Sequence, residues 1–348
     1  MKRLLPVFAL AMLSPFLAEI LFGATPLSRF ASLPPLIFLY GGGAVLIREL
    51  ARRIGPGWDR IVWLAAAYAL VEEGLVMQTF FSPDLFNAST FGGRAMGVNW
   101  LWVEALIGYH IAWSISIPIA IVEICFPERR TEPWLGRAGT TIALICYMLG
   151  ALAIAFTFRR FVTPHFQAPA LHVMATVIIA ANAIAWALRK PAKKLVNPIL
   201  KASSTPVPTV LPGIVALFIA GLWLQLFNLP QPIRSGMPML LPMFLEGCLI
   251  WVFATLLRAW TAAGRNWTDL HSMSLVTGAL MATMIYGFAE LKAASPFDRG
   301  GQLIACIVTL LFLGVLAHRV HNRLSPLDSR EASTHQGNQQ RNPYDAAR

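Results

Sequence analysis

The apolar residues of this chain come in blocks about 20 residues long, the length of helix needed to cross a hydrocarbon core of about 30 Å. Ten blocks can be read: Leu4–Phe22, Leu33–Ile47, Ile61–Phe81, Trp100–Phe126, Thr140–Phe158, Pro169–Leu188, Val210–Leu229, Met237–Leu257, Asp269–Glu290 and Gly300–Ala317. Backbone polar groups find no water in lipid, so each block must satisfy its hydrogen bonds internally as a helix. The expected fold is therefore an all-α, polytopic transmembrane helix bundle of about ten spans. Composition agrees: of 348 residues, 56% are hydrophobic and only 13% are charged, about half the charge of a soluble domain. That excludes disorder, a disulfide scaffold and an ordinary soluble enzyme. The second block is short, opens on Pro34-Pro35 and carries Gly41-Gly42-Gly43. A re-entrant or strongly tilted helix is expected there.

Basic residues set the orientation. Alternating the loops through ten spans puts 21 of the 28 Lys and Arg on the side of both termini and 7 on the other. Both termini are thus expected in the cytoplasm of a bacterial inner membrane. The net charge of +11 is explained by short loops facing anionic lipid headgroups, so the lipid bilayer is the expected partner and nucleic acid is not. Lys2-Arg3 precedes an apolar run that contains Glu19 and reaches Phe22 without a small-residue cleavage site, which reads as an uncleaved first span. The transmembrane domain is placed at 1–322, as a front group (1–188), a basic cytoplasmic loop (189–209) and a back group (210–322). The polar segment 323–348 reads as a disordered cytoplasmic tail. Cys125, Cys146, Cys248 and Cys306 are scattered through the blocks without a C-x-x-C pair and read as small packing residues.

Seven glutamates fall inside the blocks: Glu19, Glu72, Glu73, Glu104, Glu123, Glu246 and Glu290. An ionised side chain at mid-bilayer costs at least about 2.5–3.5 kcal/mol, so such residues turn to a polar interior and mark candidate sites. Glu123 and Glu290 lie near span ends, where water is within reach. Counting about 1.5 Å per residue places Glu72, His110 and Glu246 near the midplane, with Glu104 and Glu19 toward the outer face. No Lys or Arg lies at that depth. The candidate site is Glu72, Glu73 and His110, with Glu19, Tyr68, Glu104, Ser114 and Glu246 as further members of one polar pocket. Tyr68 lies one turn before Glu72 and can donate to it. Pro118 cannot bond the Ser114 carbonyl, which leaves a free acceptor beside His110. Carboxyls and an imidazole held together in low dielectric form either a general base or a proton-coupled ion site.

Ser14-Pro15-Phe16-Leu17-Ala18-Glu19, Tyr40-Gly41-Gly42-Gly43, Ile47-Arg48-Glu49-Leu50, Val71-Glu72-Glu73-Gly74-Leu75, Gly97-Val98-Asn99-Trp100 and Tyr109-His110 together resemble a group of uncharacterised bacterial polytopic membrane proteins, over about residues 1–140. That group brings no activity with it. A fainter resemblance is to CAAX prenyl protease and bacteriocin-processing type intramembrane proteases, whose motifs are E-E-x-x-x-R, F-x-x-x-H and H-x-x-x-N. Glu72-Glu73 looks like the first motif and Leu106 to His110 like the second, with His172 in the place of the third. The resemblance implies water activated by glutamate and histidine. Met77 stands where that pattern has Arg, Leu106 where it has Phe, and Thr176 where it has Asn. Three readings remain open: binding of a proton, cation or small-molecule substrate as part of transport, hydrolysis by Glu/His-activated water, and a structural polar network. No cofactor or metal follows from the residues alone.

Overall fold

The computed structural model describes residues 2–85, 94–189, 206–227, 240–262, 267–291 and 294–339, with side chains for all but 2, 227 and 326–339. It is almost wholly helical. In chain order the helices are α1 (Leu5–Leu21), α2 (Leu27–Ile54), α3 (Trp58–Ala69, continued by Leu70–Val76), α4 (Trp100–Cys125), α5 (Arg137–Val162), α6 (Ala170–Ala187), α7 (Leu211–Phe227), α8 (Leu240–Trp260), α9 (Asp269–Glu290) and α10 (Pro296–Gln339). Seven described helices are long and apolar enough to cross a membrane: α2, α4, α5, α6, α8, α9 and α10. The chain is a polytopic, all-α membrane protein.

Helices α1 to α4 form the centre. Helix α2 packs against α1, α3 and α5, while α6 lies on α3, and α9 joins α7 to α10. The peripheral helices turn large apolar side chains outward, among them Leu152 and Phe156 on α5, Leu171 and Ile178 on α6, Phe244 and Trp251 on α8, and Ile304 and Leu311 on α10. In water such a surface would aggregate. Against lipid it has no penalty, because fatty tails are as apolar as leucine.

Two helices depart from the sequence expectation, each for a packing reason. The second block is longer than it reads: α2 runs through 28 residues, a 3₁₀ stretch Leu27–Ser32 leading into α-helix at Leu33, so Pro34 falls in the first α turn, where its missing N–H is no loss. Its three glycines are docking points. A Cβ at Gly41 would collide with the Ala11 backbone of α1, one at Gly42 would press on Tyr147 of α5, and one at Gly43 would enter the Tyr68 ring of α3. Small residues permit such close helix approach. The third block stops at Val76 instead of Phe81. Gln78 takes a left-handed φ of 59°, an uncommon conformation for a non-glycine residue, and Gln78 to Ser82 fold back as a buried loop. A short hairpin, Arg94–Ala95 with Val98–Asn99, turns on Met96 and Gly97, both at positive φ, as tight hairpins require. Most of the basic loop 189–209 and the Met237 start of the eighth block lie outside the described residues. The backbone of α10 is helical to Gln339.

Candidate functional site

The central helices share one irregularity. Each switches from α to π-helical hydrogen bonding over a short segment: Phe16–Leu21 in α1, Ile37–Gly41 in α2, Leu70–Val76 in α3 and His110–Ser116 in α4. Those segments carry Glu19, Tyr40, Glu72 with Glu73, and His110 with Ser114 in turn. A π-turn inserts an extra residue, rotates the side chains that follow and is frequent at functional sites. Here the rotations bring acid, phenol and imidazole groups from four helices to one place.

His110 stands at the middle. Its Nε2 lies 2.9 Å from Glu73 Oε1, and its Nδ1 lies 3.0 Å from Ser114 Oγ and 3.4 Å from Glu72 Oε2. All three groups are buried, with relative exposures of 0% for Glu72, 4% for Glu73 and 1% for His110. One ligand atom from each falls within 4.8 Å of the others, so the trio can hold a metal ion. Glu73 is held from both sides, because Thr79 donates its hydroxyl to the second carboxylate oxygen. Asn99 in turn pins the buried loop by donating to the Thr79 and Ser82 carbonyls at 3.1 and 2.9 Å. Arg94 donates to Asn99 Oδ1 at 2.6 Å. Around the imidazole stand three tyrosine rings, Tyr40, Tyr68 and Tyr109, at 6.0, 5.7 and 5.2 Å between centroids. Ser14 donates to the Ser114 carbonyl at 2.6 Å, which is the acceptor that Pro118 leaves free.

Glu72 differs from its neighbours. Neither of its carboxylate oxygens makes a hydrogen bond of good geometry among the described residues, although the Tyr68 and Tyr40 hydroxyls both lie close enough to act on it. A buried polar group without a bond is rare, and a buried carboxylate more so. The contrast lies in the same molecule. Glu123, near the other end of α4, does not reach water as its place in the sequence suggests. It is buried against Arg52 by two bonds of 2.7 Å and against Arg48 at 3.1 Å. Arg48, itself fully buried, also donates to Glu49 at 3.3 Å and to the carbonyls of Arg129, Arg130 and Glu132 at 2.6–3.0 Å, with its guanidinium 3.6 Å above the Trp134 ring. In that cluster each charge meets a partner, as a structural role demands. Glu72 meets no cationic group among the described residues other than the imidazole.

The remaining candidates divide. Glu19 joins the edge of the site: it accepts a 2.6 Å bond from Thr25 and interacts with Tyr40, His110 and Glu73. Glu104 and Glu246 do not belong to the trio. They form a second acidic pair where α4 meets α8, with Glu246 fully buried and both its oxygens unpartnered among the described residues. One pocket expected from depth is thus two places, because Glu104 projects from α4 toward Gly247 while His110 projects toward α3. His172 is also apart. Its ring lies tilted against Phe81 at 5.0 Å between centroids, and its Nε2 bonds the Met96 carbonyl at 2.9 Å. Sequence reasoning passed over Tyr40, Tyr109, Thr79 and Asn99, whose signal is faint: a polar residue just before a glycine run, or just past a helix end. An apolar crevice of about 210 Å³ lined by Leu13, Phe16, Leu17 and Ile121 contains none of the acids.

No curated protein and no solved structure matches the chain. A family model does, over residues 8–314, which carries the likeness well beyond residue 140 to almost the entire helical region: the chain belongs to an uncharacterized membrane protein family.

Proposed function

We propose that the chain crosses a bacterial inner membrane ten times with both termini cytoplasmic, and that it binds a proton or small cation at Glu72, Glu73 and His110 as one step of transport. The observation that carries this reading is the Glu72 carboxylate, fully buried, 3.4 Å from His110 and without a well-formed hydrogen bond among the described residues. A network kept for stability alone would close on itself as the Arg48–Glu123 cluster does. A site that must accept and release a cation needs an open position instead. Broken helices around a buried ionic centre are a recurrent arrangement in transporters. The ten-span count is supported by α1, α3 and α7. These are shorter or more charged than the other seven, but at about 1.5 Å per residue they come near the thickness of the hydrocarbon core. Cytoplasmic termini are supported by the 21:7 division of basic residues.

Hydrolysis is favoured by one observation, the 2.9 Å contact of Glu73 with His110 Nε2, a pairing suited to activating water. It lacks the second imidazole that the protease resemblance implies, since His172 is engaged by Met96. The two readings separate in one experiment. Purified protein in proteoliposomes with an imposed pH gradient should carry a flux that Glu72→Gln and His110→Ala each reduce at least about tenfold, the scale of losing one charged contact. Flux indifferent to both substitutions, or peptide cleavage that depends on them, would overturn the transport reading.

A further inference from the structure

We infer that the cation taken by this centre is a divalent transition-metal ion of the zinc or manganese class, bound first by His110 Nδ1 and Glu72, with Glu73 as the residue that orients the imidazole. The inference rests on the cation-site reading and names its cargo.

Three observations converge. The first is a distance. Two donors bound to one ion at about 2.0–2.1 Å with a tetrahedral angle lie about 3.3–3.4 Å apart, and His110 Nδ1 lies 3.4 Å from Glu72 Oε2. The second is the orientation of the ring. Nε2 faces Glu73 Oε1 at 2.9 Å, and with the N–H on Nε2 the Nδ1 lone pair is left for the gap bordered by Ser114 Oγ at 3.0 Å and Glu72 Oε2 at 3.4 Å. A carboxylate behind a histidine, itself held by a further donor, is the arrangement that surrounds metal-binding imidazoles. Thr79 is that further donor on Glu73. The third is that Glu72, fully buried and aimed at the same gap, has no well-formed hydrogen bond and no cationic partner other than His110 among the described residues.

Ligand chemistry selects the class. Imidazole suits zinc, copper, iron and nickel, and the carboxylates beside it extend the set to manganese, whereas magnesium and calcium take oxygen-only sets with several waters. The Glu72 and Glu73 carboxylates also match the charge of a dication inside an apolar bundle. The Ser114 hydroxyl, 3.0 Å from Nδ1, and the Tyr68 hydroxyl facing Glu72 offer neutral oxygens to complete the shell. Two strong ligands are fewer than the four of a structural zinc site. An ion held that loosely can leave, as a transported ion must. The Glu104–Glu246 pair carries no imidazole and is not part of this site.

The test is equilibrium dialysis of the purified full-length chain in nanodiscs against ZnCl₂ or MnCl₂, with excess MgCl₂ and NaCl, read by elemental analysis. The expected result is one ion per chain, retained against magnesium and sodium. Glu72→Gln and His110→Gln should each weaken binding at least tenfold, while Glu246→Gln leaves it unchanged. Glu73→Gln should weaken it by 10- to 100-fold yet keep the absorption spectrum of a cobalt-loaded site with one nitrogen ligand, a signature that His110→Gln removes. Metal-free melting of each variant tells a lost ligand from a lost fold. If the wild-type chain binds neither zinc nor manganese while its pH-gradient flux persists and depends on Glu72, the metal assignment falls and the cation-site reading stands. Binding undiminished by both Glu72→Gln and His110→Gln overturns the assignment too. If there is neither binding nor flux, both fall.

Discussion

Two buried glutamates separate structure from function at the level of single residues. Glu123 is saturated by Arg48 and Arg52, and removing it would strand two guanidinium groups in an apolar interior. Glu123→Ala should therefore lower stability by about 3–5 kcal/mol, seen as a large drop in melting temperature in detergent. Glu246 is the opposite case, a carboxylate with no partner among the described residues. If it has no ligand of its own, Glu246→Leu should melt higher than wild type, because an unsatisfied buried acid costs more than the apolar side chain that replaces it. A lower melting temperature would mean that it binds something. The Ser14 bond to the Ser114 carbonyl is an ordinary one, and Ser14→Ala should cost about 1 kcal/mol. Sequence made the acids legible, since charge within an apolar block stands out wherever it falls. It did not make their partners legible. Arg48 is 75 positions from Glu123, and nothing in the spacing announces that pairing.

At the scale of elements, the π-helical segments are what sequence reading misses. A regular 3.6-residue helix puts His110, Ser114 and Pro118 on one face, and the structure keeps His110 and Ser114 in contact. The same regular geometry puts Glu246 at the depth of Glu72 and Glu104 nearer the outer face of one pocket, and there depth alone is not enough: it fixes height along the helix and says nothing of rotation about it. The glycine run of α2 shows a second ambiguity. Gly41-Gly42-Gly43 reads as a weak point in a helix, yet each glycine seats a different neighbour. Gly43→Ala should push the Tyr68 ring away from its place beside His110 and lower both stability, by about 1–3 kcal/mol, and any Glu72-dependent flux. Normal flux and melting in that variant would show that the helix contact is slack.

Across the whole molecule, ion pairs tie the back helices to the front. Asp269, at the start of α9, receives Arg130 at 2.6 and 2.9 Å and Arg323 of α10 at 2.5 Å. Its carboxylate raises the pKa of Arg130 through those bonds, so the tie is intact throughout the neutral range. These groups are partly exposed, and screening limits what each contributes. Asp269→Asn should accordingly loosen the link between front and back without unfolding either. Protease nicking of the 126–136 loop should speed up while melting shifts only slightly, and an unchanged nicking rate would show that the tie is idle. The chain-wide pattern of apolar blocks and basic loops is legible because lipid imposes it on every residue it touches. The interior is not legible, because helices freed of water choose neighbours by small steric details such as Gly43 against Tyr68.

The central claim is that Glu72 is the group that takes up the cation. Infrared difference spectroscopy of the carboxyl region, recorded on membranes during a pH or cation jump, reads that event directly. The account predicts a carboxyl band that disappears in Glu72→Gln, shifts in His110→Ala and survives in Glu246→Gln. A band that persists unchanged in Glu72→Gln would contradict it.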